Sequence, residues 1–163
     1  MKIGVVSDTH DNKDAVLKMV DILNQERVDV VLHAGDHIAP FVVNWMKGVE
    51  ARIIGVAGNN DAEKELIKRR YEDNGWSFTY HTAILNLGGK IALLHGTDEV
   101  LVEGLLHSGL YDVVVRGHLH EIRVDYVGDT LHLMPGEVCG YLSGKRSLAI
   151  LKMPEKTVEI IEF

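Results

Sequence analysis

Seven residues of this chain carry donor atoms suited to divalent metal ions. Asp8 and Asp36 are carboxylates, His10, His95, His118 and His120 are imidazoles, and Asn59 offers an amide oxygen. No thiolate joins them, because the chain's one cysteine, Cys139, has no second cysteine beside it. Seven ligands are too many for one tetrahedral ion and suit two ions sharing a bridging carboxylate. Carboxylate oxygen with imidazole nitrogen favours first-row ions, manganese first, with nickel, iron, cobalt or zinc as alternatives. Calcium, magnesium alone and copper–thiolate chemistry are disfavoured. Two divalent ions less two carboxylates leave a charge of about +2, so the site attracts an anion although the chain's net charge is -7. Two ions roughly 3.5–4 Å apart clamp the attacking and leaving oxygens of a phosphoryl displacement, and a hydroxide between them, its pKa lowered towards ~7, is the expected nucleophile.

The elements that must position these residues read as an alternation of short apolar runs and helical patterns. Residues 2–7, 28–33 and 52–57 read as buried strands, the middle one rich in β-branched residues. A helix capped by Asp11 or Asn12 follows the first, its apolar positions Val16, Met19, Val20 and Leu23 at helical spacing. A short helix over 40–46 follows the second, and a charged one over 62–73, ending at Gly75, follows the third. That order predicts a parallel sheet with crossover helices. The second half predicts a hairpin, 82–87 and 90–94, about Gly88-Gly89, then a helix over 99–107 and strands over 112–116, 121–126, 130–134, 146–152 and 157–163, largely antiparallel. With no linker, repeat or low-complexity segment, residues 1–163 read as one mixed α/β domain.

On this map the candidate ligands fall just past five different strands, where ligands bind in open α/β sheets. Gly35, Gly58, Gly96 and Gly117 each adjoin one of them. Glycine allows a sharp turn or a close backbone approach there.

Asp8-Thr9-His10, Gly35-Asp36, Gly58-Asn59-Asn60-Asp61, His95-Gly96 and Gly117-His118-Leu119-His120 resemble, in order and spacing, the five motifs of the calcineurin-like metallophosphoesterases, and their small bacterial and archaeal phosphodiesterase branch in length. The resemblance implies a four-layer αββα sandwich of two mixed sheets flanked by helices. It implies that Asp8, His10, Asp36 and His120 hold one metal, that Asp36 bridges, and that Asn59, His95 and His118 complete the second. Many members have histidine where this chain has Asn60, paired with the aspartate and thought to protonate the leaving group. Asn60 cannot act as an acid, which points to esters with good leaving groups, with His37 as a candidate substitute acid.

Some of these residues carry a second reading. Asn60, with Glu63 three residues on, also fits a helix N-cap, and Asp61 fits either a helix terminus or a residue that orients the site. His33 reads as a buried structural histidine, His81, His107 and His132 as ordinary surface or core positions, and Cys139 as a small buried hydrophobe.

The expected activity is metal-dependent phosphodiester hydrolysis, with a phosphomonoesterase on the same site and a non-catalytic scaffold of the same fold as alternatives. Hydrophobic residues make up 46% and charged residues 25%, which fits a globular chain rather than a disordered one. The acidic balance disfavours a docked nucleic acid, leaving a small phosphate ester as the expected partner. No apolar run approaches a membrane span and none reads as a signal peptide, so the cytoplasm is the expected compartment. A homodimer through an exposed helix or strand edge is the base-rate expectation.

Overall fold

Short β-branched strands can be apolar on both faces only if both faces are covered, and helices with one apolar stripe supply that cover. The computed structural model, which describes every residue from Met1 to Phe163, shows two sheets face to face with helices outside them. The first sheet contains β1 (Lys2–Val6), β2 (Val30–His33), β3 (Arg52–Val56), β4 (Ser77–Thr79), β10 (Ser147–Lys152) and β11 (Thr157–Glu162), in the order β11-β10-β1-β2-β3-β4. The second contains β5 (Ala83–Asn86), β6 (Lys90–Leu93), β7 (Val113–Val115), β8 (Ile122–Val127) and β9 (Thr130–Pro135), in the order β5-β6-β7-β9-β8.

Three apolar layers hold these sheets. Helices α1 (Lys13–Gln25), α2 (Phe41–Met46) and α3 (Lys64–Asp73) pack Val16, Met19, Met46 and Ile67 onto Val31, Ile53 and Leu148 of the first sheet. Between the sheets, Ile3, Val5 and Leu32 meet Leu93, Val115 and Leu133. Helix α4 (Glu99–His107) covers the outer face of the second sheet with Val102 and Leu106 against Ala92 and Val114. Each such buried side chain contributes about 1.5–3 kcal/mol. The four-layer αββα arrangement is thus present.

Strands β1 to β4 run parallel, as their helical crossovers require. The second half departs from the largely antiparallel expectation. Strand β7 is parallel to both β6 and β9, because α4 and the β8 excursion return the chain in the same direction. Strand β10 leaves the second sheet altogether and pairs antiparallel with β1. Turn residues reveal pairing between strands adjacent in sequence; β1 and β10 are far apart in the chain, and no local signal marks their meeting.

Candidate metal centre

Parallel strands put their carboxyl ends on one side, so the loops after β1, β2, β3, β6 and β7 emerge together. Backbone bonds tie them: Asp8 N–H donates to Gly35 O at 3.0 Å, His10 N–H to Asp36 O at 3.1 Å, and Gly117 N–H to His95 O at 3.1 Å. Five of the seven candidate ligands then take the left-handed backbone region, with φ of 55° at Asp8, 41° at His10, 59° at Asp36, 71° at His118 and 57° at His120. Non-glycine residues rarely adopt it, and doing so stores strain. Two glycines make the crowding possible. A Cβ on Gly58 would run into the Asp36 carboxylate, and one on Gly117 into Ser7 and Asp8.

All seven side chains meet there. One donor group consists of Asp8, His10 and His120: Asp8 Oδ1 lies 3.6 Å from His10 Nε2 and 3.4 Å from His120 Nε2. The other gathers at His95, whose Nε2 is 2.9 Å from Asn59 Oδ1 and whose ring centroid is 5.1 Å from that of His118. Asp36 Oδ2 lies between them, 3.3 Å from His10 Nε2 and 3.4 Å from His95 Nε2. The opposite ring nitrogen of His95 is fixed by Ala34 O at 2.7 Å, which sets the orientation of the ring.

Electrostatics there describe a site built for cations. Asp8 and Asp36 are buried, and Asp8 Oδ1 and His10 Nε2 have no hydrogen-bond partner. A buried carboxylate oxygen without a donor is costly unless a positive charge faces it. Burial opposes charge at Asp36, yet His10, His95 and Asn60 outweigh it and hold the carboxyl well below the usual range. Burial likewise opposes protonation of His10, but Asp36 and Asp8 lift it to about 9. The same negative field that favours a proton on His10 would favour a bound cation, and the oxygen-and-imidazole set fits a first-row divalent ion.

The three further site candidates, Asn60, Asp61 and His37, the last of them the substitute acid, occupy different places. His37 does not reach the cleft: it is fully buried, with Nδ1 3.1 Å from Asp61 Oδ2, Nε2 2.7 Å from Tyr71 OH, and its ring stacked on His33 at 3.8 Å. A histidine in an apolar core satisfies both nitrogens internally, so it cannot serve as the substitute acid. Asp61 accepts the N–H groups of Gly58 and Ile38, each at 2.7 Å, and so joins the β2 and β3 loops. Asn60 is not a helix cap, since α3 begins only at Lys64; its backbone and side-chain N–H groups donate to the Asp36 carboxylate at 2.9 and 2.8 Å. His33 is buried as expected, and its Nδ1 accepts the Gly35 N–H at 3.2 Å.

Glu137 was not anticipated. It is fully buried and accepts from the N–H groups of Tyr141, Leu142 and Ser143, the Ser143 hydroxyl and the Cys139 thiol, while its Oε2 lies 2.5 Å from His120 Nδ1. Burial opposes its charge, but these donors hold it at about 2. Burial and Glu137 push the Cys139 thiol up to about 12, and its Sγ–H donates to Glu137 Oε2. The signal was present: Glu137 follows β9 and adjoins Gly136, as Asp36, Asn59, His95 and His118 each adjoin a glycine after a strand. The segment it holds brings Tyr141 and Leu142 to the cleft, about 330 Å³ in volume and otherwise lined by His10, Asp36, Asn60, His118 and His120.

Residues 1–156 match the family model of the calcineurin-like phosphoesterase superfamily domain. The chain is 40% identical over 160 residues to phosphodiesterase MJ0936 of Methanocaldococcus jannaschii, covering 96% of this chain and 95% of that one. A solved archaeal phosphodiesterase superposes with a TM-score of 0.96 at 36% identity, each chain covered in full. A zinc complex of Vps29 from Entamoeba histolytica, at 19% identity and TM-score 0.71 with 100% and 98% coverage, shares the fold.

Proposed function

Since the chain belongs to the calcineurin-like phosphoesterase superfamily and is a phosphoric ester hydrolase, we propose that it cleaves phosphodiesters with two divalent transition-metal ions, manganese first among them. Asp8, His10, Asp36 and His120 would hold one ion, and Asp36, Asn59, His95 and His118 the other. Bound there, the ions would polarise the ester and acidify a water. The observation that carries this reading is Asp36 Oδ2, one carboxylate oxygen between His10 and His95 at 3.3 and 3.4 Å. Strand-end backbone positions the set, and Asn60 donates to the Asp36 carboxylate through its backbone and side-chain N–H groups.

The cleft also informs the substrate. The part of it at His10, Asp36, His118 and His120 holds no lysine or arginine. The neighbouring part at Asn59 and His95 holds one, Lys64, and Arg116 is turned away, its guanidinium on Glu99 and Gly96 O. A diester carries one negative charge and a monoester close to two, so this lining favours the diester. Asn60 uses one side-chain N–H on Asp36 and keeps a second for a phosphate oxygen. It cannot protonate a departing alkoxide, and His37 is sealed in the core, so good leaving groups are favoured.

The test is hydrolysis of bis-p-nitrophenyl phosphate against p-nitrophenyl phosphate by metal-stripped protein, with manganese, nickel, zinc or magnesium returned. Restored turnover that favours the diester is expected. No turnover from protein that binds two ions would leave a non-catalytic scaffold as the better reading.

A further inference from the structure

Strand β8 is the outer edge of the second sheet, with β9 on one side and no strand on the other. Six residues long, it is exposed at every position but Val127, which is half-buried. Its pairing with β9 closes at Val127↔Thr130 around the two-residue turn Gly128-Asp129, which makes that pair hydrogen-bonded and sets the alternation. The Gly136 N–H, donating to Glu121 O at 3.1 Å, keeps the same phase. The backbone groups of residues 123, 125 and 127 are therefore spent on β9. Those of Ile122, Val124 and Tyr126 point away from the sheet.

Natural sheets blunt such an edge with charged side chains, proline, a bulge, inward charges or a cover. Strand β8 has only Arg123 and Asp125, one charge of each sign, and no proline. Ile122, Val124 and Tyr126 form one apolar face, 42%, 45% and 54% exposed. Arg123 and Asp125 form the other.

We infer that β8 pairs antiparallel with β8 of a second copy of this chain, about a two-fold axis at Val124, joining the two five-stranded sheets into one. The register follows from the backbone. With the axis at Val124, that residue faces its own copy, and Ile122 faces Tyr126 of the second copy. These are the positions whose N–H and C=O groups point outward, so each pair exchanges both its hydrogen bonds. Arg123 then faces Asp125 of the other copy at the closer, non-hydrogen-bonded spacing, and the reciprocal pair forms by symmetry. Opposite charges and apolar groups directly across a ladder stabilise it.

Within one chain Arg123 is 3.5 Å from Glu121 and 4.0 Å from Asp125, all three exposed, so Arg123 can re-pair at little cost. The exposed Asp125 carboxylate also lies 3.3 Å from the buried His132 ring. The other edges lack this self-complementarity. Strand β11 carries Glu159 and Glu162 with no basic residue of its own, and β4 and β5 have three and four residues. A six-residue ladder lies below the size of a standard interface, so the dimer forms reversibly in the micromolar range.

Sedimentation of the full chain across micromolar concentrations tests this. The mass is expected to rise from 18.1 kDa towards twice that value. Val124→Pro removes one outward N–H without touching the β9 ladder and is expected to remain monomeric. Should it fail to fold by circular dichroism, two surface charge variants decide. Arg123→Asp and Asp125→Arg are each expected to be monomeric alone and to dimerise when mixed, because their charges then oppose. A wild-type chain that stays at the monomer mass would overturn the inference. So would a dimer that ignores these variants, or an edge that takes up an extended peptide and never a second copy.

Discussion

The strands of this molecule need loops at both ends, and the two ends are built differently. At the ends that carry the metal-binding set, seven non-glycine residues have positive φ: Asp8, His10, Asp11, Asp36, Ile38, His118 and His120. At the opposite ends only Arg27 and Lys156 do, while Gly75, Gly88, Gly109 and Gly128 take the other left-handed positions. Each left-handed non-glycine residue costs on the order of 1–3 kcal/mol. The buried carboxylates divide in the same way, with Asp8, Asp36, Asp61 and Glu137 all at the first end. At the second end, polar groups close on their neighbours, as where Asp112 accepts the Lys90 N–H at 2.7 Å and Thr130 donates to Tyr111 O at 2.8 Å. A turn that only has to turn can use glycine. A turn that must present an aspartate or histidine keeps the side chain and accepts the strain.

The strongest way to break this comparison is to remove the residue at the centre of the strained end. Asp36→Ala is expected to abolish binding of both ions in calorimetry and to lower diesterase turnover by about three orders of magnitude, the scale of several kcal/mol of lost charge stabilisation. The fold should survive, because the four-layer core does not involve this side chain. Retained turnover would show that Asp36 does not bridge.

Glu137 sharpens the same contrast one step from the ligands. Glu137→Gln keeps the volume but replaces the charge facing His120, and is expected to weaken metal binding about 10–100-fold, the usual effect of losing a ligand's orienting partner. Excess manganese should restore most of the turnover. The variant also has a pH signature. Glu137 is depressed from 4.5 to about 2 in the fold, so its charge contributes stability above 4.5, and that contribution disappears as the pH falls towards 2. Urea melts of metal-free protein should therefore show the wild-type advantage over Glu137→Gln shrinking across that window.

The strained end was also the legible one. Asp8, His10, Asp36, Asn59, His95, His118 and His120 could be singled out because their donor types are unusual at strand ends and each strand end is marked by an apolar run. The strands themselves were readable for the same reason, from periodicity and turn residues. Three features were not. The place of β10 beside β1 depends on a contact with no local signal. The inward turn of His37 depends on Tyr71, Asp61 and His33 closing around it, which residue type alone does not reveal. The role of Asn60 turned on where α3 begins, and helix starts shift easily when nearby side chains have other partners.

The smallest expected effect tests whether the strain is real. Ile38 has φ of 81°, and a β-branched side chain is the least suited to that region. Its backbone N–H is held by Asp61, so the conformation is imposed by the loop. Ile38→Gly removes the strain, on the order of 1–3 kcal/mol, and adds back about 0.5–1 kcal/mol of glycine entropy. A small gain of about 1 kcal/mol in denaturant melts, with metal affinity unchanged, is the expected result. Gly75, at the other end, has φ of 72° with open space where a side chain would go. Asparagine tolerates that region, so Gly75→Asn should shift stability by only a few tenths of a kcal/mol. If Ile38→Gly instead destabilised the protein by ~2 kcal/mol, the half-buried isoleucine side chain would be what pins the loop. The difference between the two ends would then lie in packing rather than in backbone strain.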